Sequence, residues 1–499
     1  GLPRFIVREK ILNELSNKGI LKSISDHNMC IPLCSRTHDV IEYLLKEQWF
    51  IKCKNMAQKA IEAVKQGQLK IIPNTQEIFW YDYLNNIRRD WCISRQVWWG
   101  HSIPAYYITI EGKTEWIIAR TENDAKIIVQ NKYGSDIKLY KDEDVLDTWF
   151  SSAILPFAIM GWPEKTEDLK KYYPLTLMET GRDILFFWVA RMVMLGLELT
   201  NCLPFDEVLL HGLLCDAYGK KMSKTLGNIV SPENIINGIS LNDLTAQMKK
   251  SILNEAILKR MLNANNKLFP NGIPECGADA LRMTLSSLID QHINFDIMEC
   301  QTWQASKYIL LMTNEKIYQK PINITIIDQW ILSRLSLMIN TINNAFIKRD
   351  FHKVIASMKQ FLYYEFCDFY LEGSKWGFKS ENINTHISHT YVLRKCLEVF
   401  LRASAPIIPY LCDDLYKRLS NIFPEFLSIT SLMEAHYPIP EEVRRNVPLD
   451  EKINEILKII LEIRSIMGNI NKKLNPDTVH IIISKSEDFN FYNDVISLI

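Results

Sequence analysis

The segment His211-Gly212-Leu213-Leu214-Cys215-Asp216-Ala217-Tyr218-Gly219-Lys220-Lys221-Met222-Ser223-Lys224-Thr225-Leu226-Gly227-Asn228 sets the reading of the whole chain. Ahead of it, Glu207-Val208-Leu209-Leu210 is an apolar run that reads as a buried strand. Lys221 and Lys224 stand three residues apart on the loop that follows. Two ammonium groups so placed suit a polyphosphate that gains charge in a transition state, because a loop can close on phosphates and then open. A bare Lys-x-x-Lys is usually solvated surface. The strand, the His-Gly turn and the glycine-containing approach give this one its weight.

Working outward, Ile184 to Leu197 has the pattern of a long apolar helix. Ile103, Tyr106, Tyr107, Ile108 and Ile110 are β-formers, so residues 103–119 read as strands joined by the turn Glu111-Gly112-Lys113. Residues 1–90 alternate short apolar runs with helical stretches, among them Val40 to Leu45 and Met56 to Val64. Strands alternating with helices predict a parallel α/β sheet. Beyond about residue 325 the period changes. Ile331, Leu335, Met338, Ile342 and Phe346 recur at spacings of three and four, as do Val354, Met358, Phe361 and Phe369, then Leu393, Leu397, Phe400 and Leu401. That is a separate helical bundle. Glu441-Glu442-Val443-Arg444-Arg445 reads as a hinge, followed by a helix at 449–468 and a strand at 478–484. Residues 243–268, rich in Asn and Lys, read as a surface insertion, and no internal repeat is visible.

Composition narrows the class. A chain of 499 residues with 47% hydrophobic and 23% charged residues is globular and long enough for several domains. Fifty-eight basic residues balance fifty-eight acidic ones, so nucleic-acid binding cannot be read from overall charge. No apolar run approaches the ~20 residues of a membrane helix, and the start Gly1-Leu2-Pro3-Arg4-Phe5 lacks the regions of a signal peptide. The eleven cysteines are scattered, and Cys30 and Cys34 have no second pair at zinc-site spacing. They read as reduced thiols of an intracellular protein, with no protein-held metal.

With these blocks in place, the sequence resembles the class I aminoacyl-tRNA synthetases, and among them the valine-specific branch. The likeness rests on Asp90-Trp91-Cys92-Ile93-Ser94-Arg95-Gln96 with Trp98-Trp99-Gly100-His101, and on Asp144-Val145-Leu146-Asp147-Thr148-Trp149-Phe150-Ser151-Ser152. It continues through Glu179-Thr180-Gly181-Arg182-Asp183-Ile184-Leu185-Phe186-Phe187-Trp188-Val189-Ala190-Arg191-Met192, the lysine loop and Gly272-Ile273-Pro274-Glu275-Cys276-Gly277-Ala278-Asp279-Ala280-Leu281-Arg282. Order and spacing fit from residue 1 to about 485. Isoleucine-specific members differ at the Asp-Thr-Trp and Phe-Phe-Trp blocks.

The resemblance implies a fold and a set of roles. Residues 1–40 would be a remnant of an editing insertion and 41–325 a Rossmann-type catalytic region. Residues 326–440 would be an all-α anticodon-binding bundle and 441–499 a truncated C-terminal segment. Lys221, Ser223 and Lys224 would act on the pyrophosphate leaving group as valine attacks ATP, with Mg2+ accompanying the nucleotide. Glu179, Gly181, Asp183, His211 and Gly212 would bind the nucleoside part of ATP, with Lys224 on its phosphates. Trp149, Ile184 and Trp188 would wall the valine side chain, the last two on one helix face as i and i+4. Arg95 would steer the acceptor end of tRNA or support the loop. His101 reads as readily as a structural histidine. The partners would be valine and its tRNA, with no membrane, and the protein a monomer.

Departures from the pattern carry expectations too. The family's His-x-Gly-His turn has no counterpart in the chain, which is therefore expected to be part of a longer protein and inactive alone. Gln291-His292-Ile293-Asn294-Phe295-Asp296 and the 306–310 region are altered, as in a divergent, organellar member. Two rivals remain: a ligase for isoleucine or leucine, and a non-catalytic tRNA-binding derivative that would not need Lys224.

Overall fold

The computed structural model describes residues 2–34, 39–134, 137–215, 221–222, 229–251, 255–287, 298–313, 319–423, 426 and 431–469. They fall into two compact units, one of Gly1–Met178 with Ile184–Val208 and one of Glu179–Asp183 with Leu209–Ile499. The chain passes from one unit to the other at 178/179, 183/184 and 208/209. Strands Leu175–Gly181 and Phe205–His211 each begin in the first unit and end in the second.

In the first unit the helix Lys54–Lys65 buries Met56, Ala57, Ala60, Ile61, Ala63 and Val64. This stripe packs on the helix Arg191–Thr200, which also packs on Thr148–Ala158. Each large side chain so buried contributes about 1.5–3 kcal/mol. Phe205–His211 lies between Lys70–Ile72 and Leu175–Gly181 in a three-stranded sheet. The neighbours Leu175–Gly181 and Phe205–His211 are joined by a helical connection, the βαβ order expected from the alternation of strands and helices.

The expected hairpin is present. Ala105–Ile110 pairs antiparallel with Lys113–Ile118, Ile110 opposite Lys113, leaving Glu111-Gly112 as a two-residue turn. Both turn residues have positive φ, 48° and 77°, the type I′ geometry whose twist suits a hairpin. The helix Glu122–Tyr133 starts on a Thr121–Asp124 capping box and ends on Gly134 at φ 67°. It covers the hairpin, burying Ala125 and Val129 against Tyr106, Ile108 and Ile117.

In the second unit all described elements after Thr313 are helical, Ile326–Ile347 and Ile383–Ser404 being 22 residues each. The periodic residues form the core: Ile331, Leu335, Ile342, Val354, Met358, Leu393 and Leu401 are wholly buried. Phe346 packs at its edge. A polar cluster sits inside this core. Asp328 is fully buried and accepts hydrogen bonds from Tyr370, Ser388 and His389, the last at 2.8 Å. Burial alone would push the Asp328 carboxyl up, and these donors reverse that, holding it below the usual carboxylate range.

Three expectations fare differently. The described part of 243–268, read as a surface insertion, lies in the helices Leu241–Ser251 and Glu255–Leu268, which bury Leu244, Met248 and Ala264. The expected hinge is clamped, because Glu442 pairs with Arg402 at 2.7 Å and Val443 is buried. The helix Val447–Asn469 then packs Ile453, Ile456 and Ile460 into the bundle core. The strand expected at 478–484 lies outside the described residues.

Candidate active site

The second unit gathers most of the expected nucleotide-binding residues at two strand ends. Leu175–Gly181 ends with Glu179 exposed and Thr180 and Gly181 buried, and Asp183 follows in a 3₁₀ turn. His211 closes the strand Phe205–His211, its Nε2 3.3 Å from Glu179 Oε1. Its Nδ1 lies 2.6 Å from the carbonyl of Gly212. A carbonyl oxygen only accepts, so Nδ1 carries the hydrogen and the ring orientation is fixed. A Cβ on Gly181 would fall 2.7 Å from Asp183 Oδ1 and 3.0 Å from Leu213 Cδ2. A larger residue here would have to push these side chains aside.

The lysine loop returns to the same place. Lys221 forms an antiparallel bridge with Cys215, and the Met222 N–H donates to the Leu214 carbonyl at 3.1 Å. This pairing delivers Lys221 Nζ to the carboxylate of Asp183. Two carboxylates, an imidazole and an ammonium group, all partly exposed, thus share one corner. Carboxylates of this kind accept charge-assisted hydrogen bonds from hydroxyls, and the ammonium suits phosphate. Ser223 and Lys224 lie outside the described residues.

The first unit holds Trp149, Ile184 and Trp188. Asp147 caps the helix Thr148–Ala158, its Oδ1 accepting the Trp149 N–H at 3.4 Å. The Trp149 ring stacks on Phe187 with centroids 6.4 Å apart. Trp188 is half-buried, and its indole Nε1 is shielded from solvent without a hydrogen-bond partner. The expected single helix is composite: 3₁₀ at Arg182–Ile184, π at Leu185–Ala190, α at Arg191–Thr200. Ile184 is the non-helical cap of the π segment, at φ −110° and ψ 12°, so it does not share a continuous α-helical face with Trp188. A π turn adds a residue to the α repeat and is frequent at functional sites.

Asp147 was not singled out by the sequence, yet it organises this region. Its buried Oδ2 accepts from Trp91 Nε1 at 3.1 Å and Arg95 Nη2 at 2.9 Å, with Arg191 Nη1 at 3.6 Å. Arg95 is thereby a structural support, also donating to the carbonyls of Cys92 and Ser94. Burial pulls the Arg191 guanidinium below its ordinary range, and Asp147 opposes that. The signal available in the sequence was an aspartate just before Thr148-Trp149, a helix-cap position. His101 Nδ1 lies 2.8 Å from Ser151 Oγ, on the same helix as Trp149.

A profile described as tRNA synthetases class I (I, L, M and V) matches residues 22–296. The chain belongs to this family. The class I synthetase region is followed by a match to the anticodon-binding domain of tRNA ligase over residues 328–483, which is mostly helical here. Among class I synthetase relatives, the valine–tRNA ligase of Caenorhabditis elegans is 39% identical over 528 aligned residues, covering 100% of this chain and 50% of that one. That of Rattus norvegicus is 40% identical, covering 96% and 40%. The mitochondrial valine–tRNA ligase of Homo sapiens is 38% identical, covering 98% and 47%. The chain spans half or less of the length of these relatives. Among the described residues no helix is long and apolar enough to cross a membrane.

Proposed function

We propose that this chain serves as the ATP-handling and tRNA-docking part of a valine–tRNA ligase. The observation that carries the reading is the 37–40% identity, across almost the whole chain, to relatives that bear that name. The corner of Glu179, Asp183, His211 and Lys221 supports it, since it offers hydroxyl acceptors beside a cation.

In the first half-reaction a valine carboxylate oxygen attacks the α-phosphorus of ATP. The bond to the bridging oxygen breaks, and pyrophosphate leaves with that electron pair. Lys221 would exchange Asp183 for phosphate, adding positive charge where the leaving group gains negative charge. Ser223 and Lys224 would act beside it. Glu179 and Asp183 would hold the ribose hydroxyls, while Gly181, His211 and Gly212 would seat the base. Trp149, Ile184 and Trp188 would enclose the isopropyl group. A ribose hydroxyl at the tRNA terminus then attacks the activated carbonyl and AMP leaves. Mg2+ would accompany ATP through its phosphates, whose charge it offsets. The anticodon loop would dock on the helical bundle. Valine, ATP and valine tRNA would be the partners of a monomer in cytoplasm or mitochondrial matrix.

The test is amino-acid-dependent ATP–pyrophosphate exchange by the native protein, with a panel of valine, isoleucine and leucine. Exchange with valine alone is expected. Exchange with isoleucine or leucine instead would move the assignment to a neighbouring branch. Valine tRNA binding without any exchange would make the chain a tRNA-binding derivative.

A further inference from the structure

Arg191 opens the helix that follows the π segment, and its side chain is almost buried. Its guanidinium lies 4.1 Å from the centre of the Trp91 ring and 5.6 Å from that of Phe187. Phe187 in turn stacks on Trp149. Arg191 also pairs with Asp147, the cap of the helix that carries Trp149. Nη1 makes no hydrogen bond, so the guanidinium is held mainly by ring faces and by charge. A flat guanidinium stacks on ring faces in a way that a compact ammonium does not match. Two routes thus run from one side chain to Trp149, one through Phe187 and one through Asp147.

We propose that Arg191 is a positioning residue that sets the wall formed by Trp149, and so sets which amino-acid side chain is accepted. This rests on the reading of Trp149 as part of the valine pocket. Arg191 acts on that ring through the stack on Phe187 and the pair with Asp147. A small, rigid pocket rejects one extra methylene by only about 10–200-fold. Modest tilting of one wall is therefore enough to change the selection.

The experiment compares Arg191→Lys and Phe187→Leu with the unaltered native protein in pyrophosphate exchange. Phe187 is 48% exposed, so the second variant cuts the stacking route without stranding a buried charge. The expected result is a KM for valine raised about tenfold, a KM for ATP within about twofold, and a narrower preference for valine over isoleucine. An unchanged valine KM in both variants, with the unaltered protein active on valine, overturns this proposal alone. Equal rises in both KM values also overturn it, since they mark general structural damage. An unaltered protein that activates no valine removes the parent reading and this one with it.

Discussion

Lys221 and Asp183, 38 residues apart, are joined by an ion pair at the corner where Glu179 meets His211. The first lysine of the loop is therefore held at a carboxylate just past the neighbouring strand end. Replacing it by alanine is expected to lower pyrophosphate exchange by about 10²-fold, the scale of removing one charge-stabilising donor. Asp183→Asn should raise the KM for ATP and leave that for valine nearly unchanged. Steady-state kinetics on the native protein would check both, and an equal rise in the two KM values would refute the placement of Asp183.

Gly181→Ala is a sharper probe of the same corner. The added methyl meets the end of the Asp183 side chain, which can move, and the Leu213 methyl, which has less room. The variant should fold, with stability reduced by about 1–3 kcal/mol. Its ATP affinity should fall more than its melting temperature suggests. Nucleotide titration beside a urea melt separates the two effects.

The bundle should be acid-sensitive through Asp328. Its native carboxyl is held below the ordinary value of about 3.9 by Tyr370, Ser388 and His389. A depressed native pKa contributes stability above the unfolded value and loses it as pH falls through the native one. Asp328→Asn should therefore flatten the loss of stability below about pH 4, and at neutral pH should cost about 3 kcal/mol by stranding its donors. Urea unfolding followed across pH checks this. Gly377→Ala should strike the same cluster, because its Cβ would fall 2.0 Å from His389 Nε2.

Burial, and secondarily Asp368, pushes the Cys367 thiol up to about 12. It should resist alkylation by iodoacetamide at pH 8, whereas the exposed Cys30 should be modified. Peptide mass spectrometry would read both, and labelling of Cys367 at the rate of Cys30 would contradict the assignment.

What the sequence revealed, and what it hid, divides along physical lines. The hairpin was legible because β-formers flank a turn with a glycine able to take positive φ, and the bundle because a period near 3.6 persists over many turns. The π segment at Leu185–Ala190 was not, since six residues are too few to distinguish its period from that of an α-helix. Glu179, Gly181, Asp183 and His211 were legible only as members of a family pattern, whereas Lys221 also stood out by its place on a loop after a strand, and the fold brings them together. The groups around Asp147 and Asp328 were hidden because their members are dispersed. Asp328, Tyr370, Ser388 and His389 look like ordinary core helix positions until three helical segments meet.

The two strands that start in one compact unit and finish in the other leave the chain indivisible by simple cloning. A single cut after residue 208 would keep Glu179–Asp183 on the upstream piece and send His211 and Lys221 away with the downstream one. No one-site truncation yields either unit whole. Mixing two such halves should restore the Glu179–His211 and Lys221–Asp183 pairs only by reassembly of both strands.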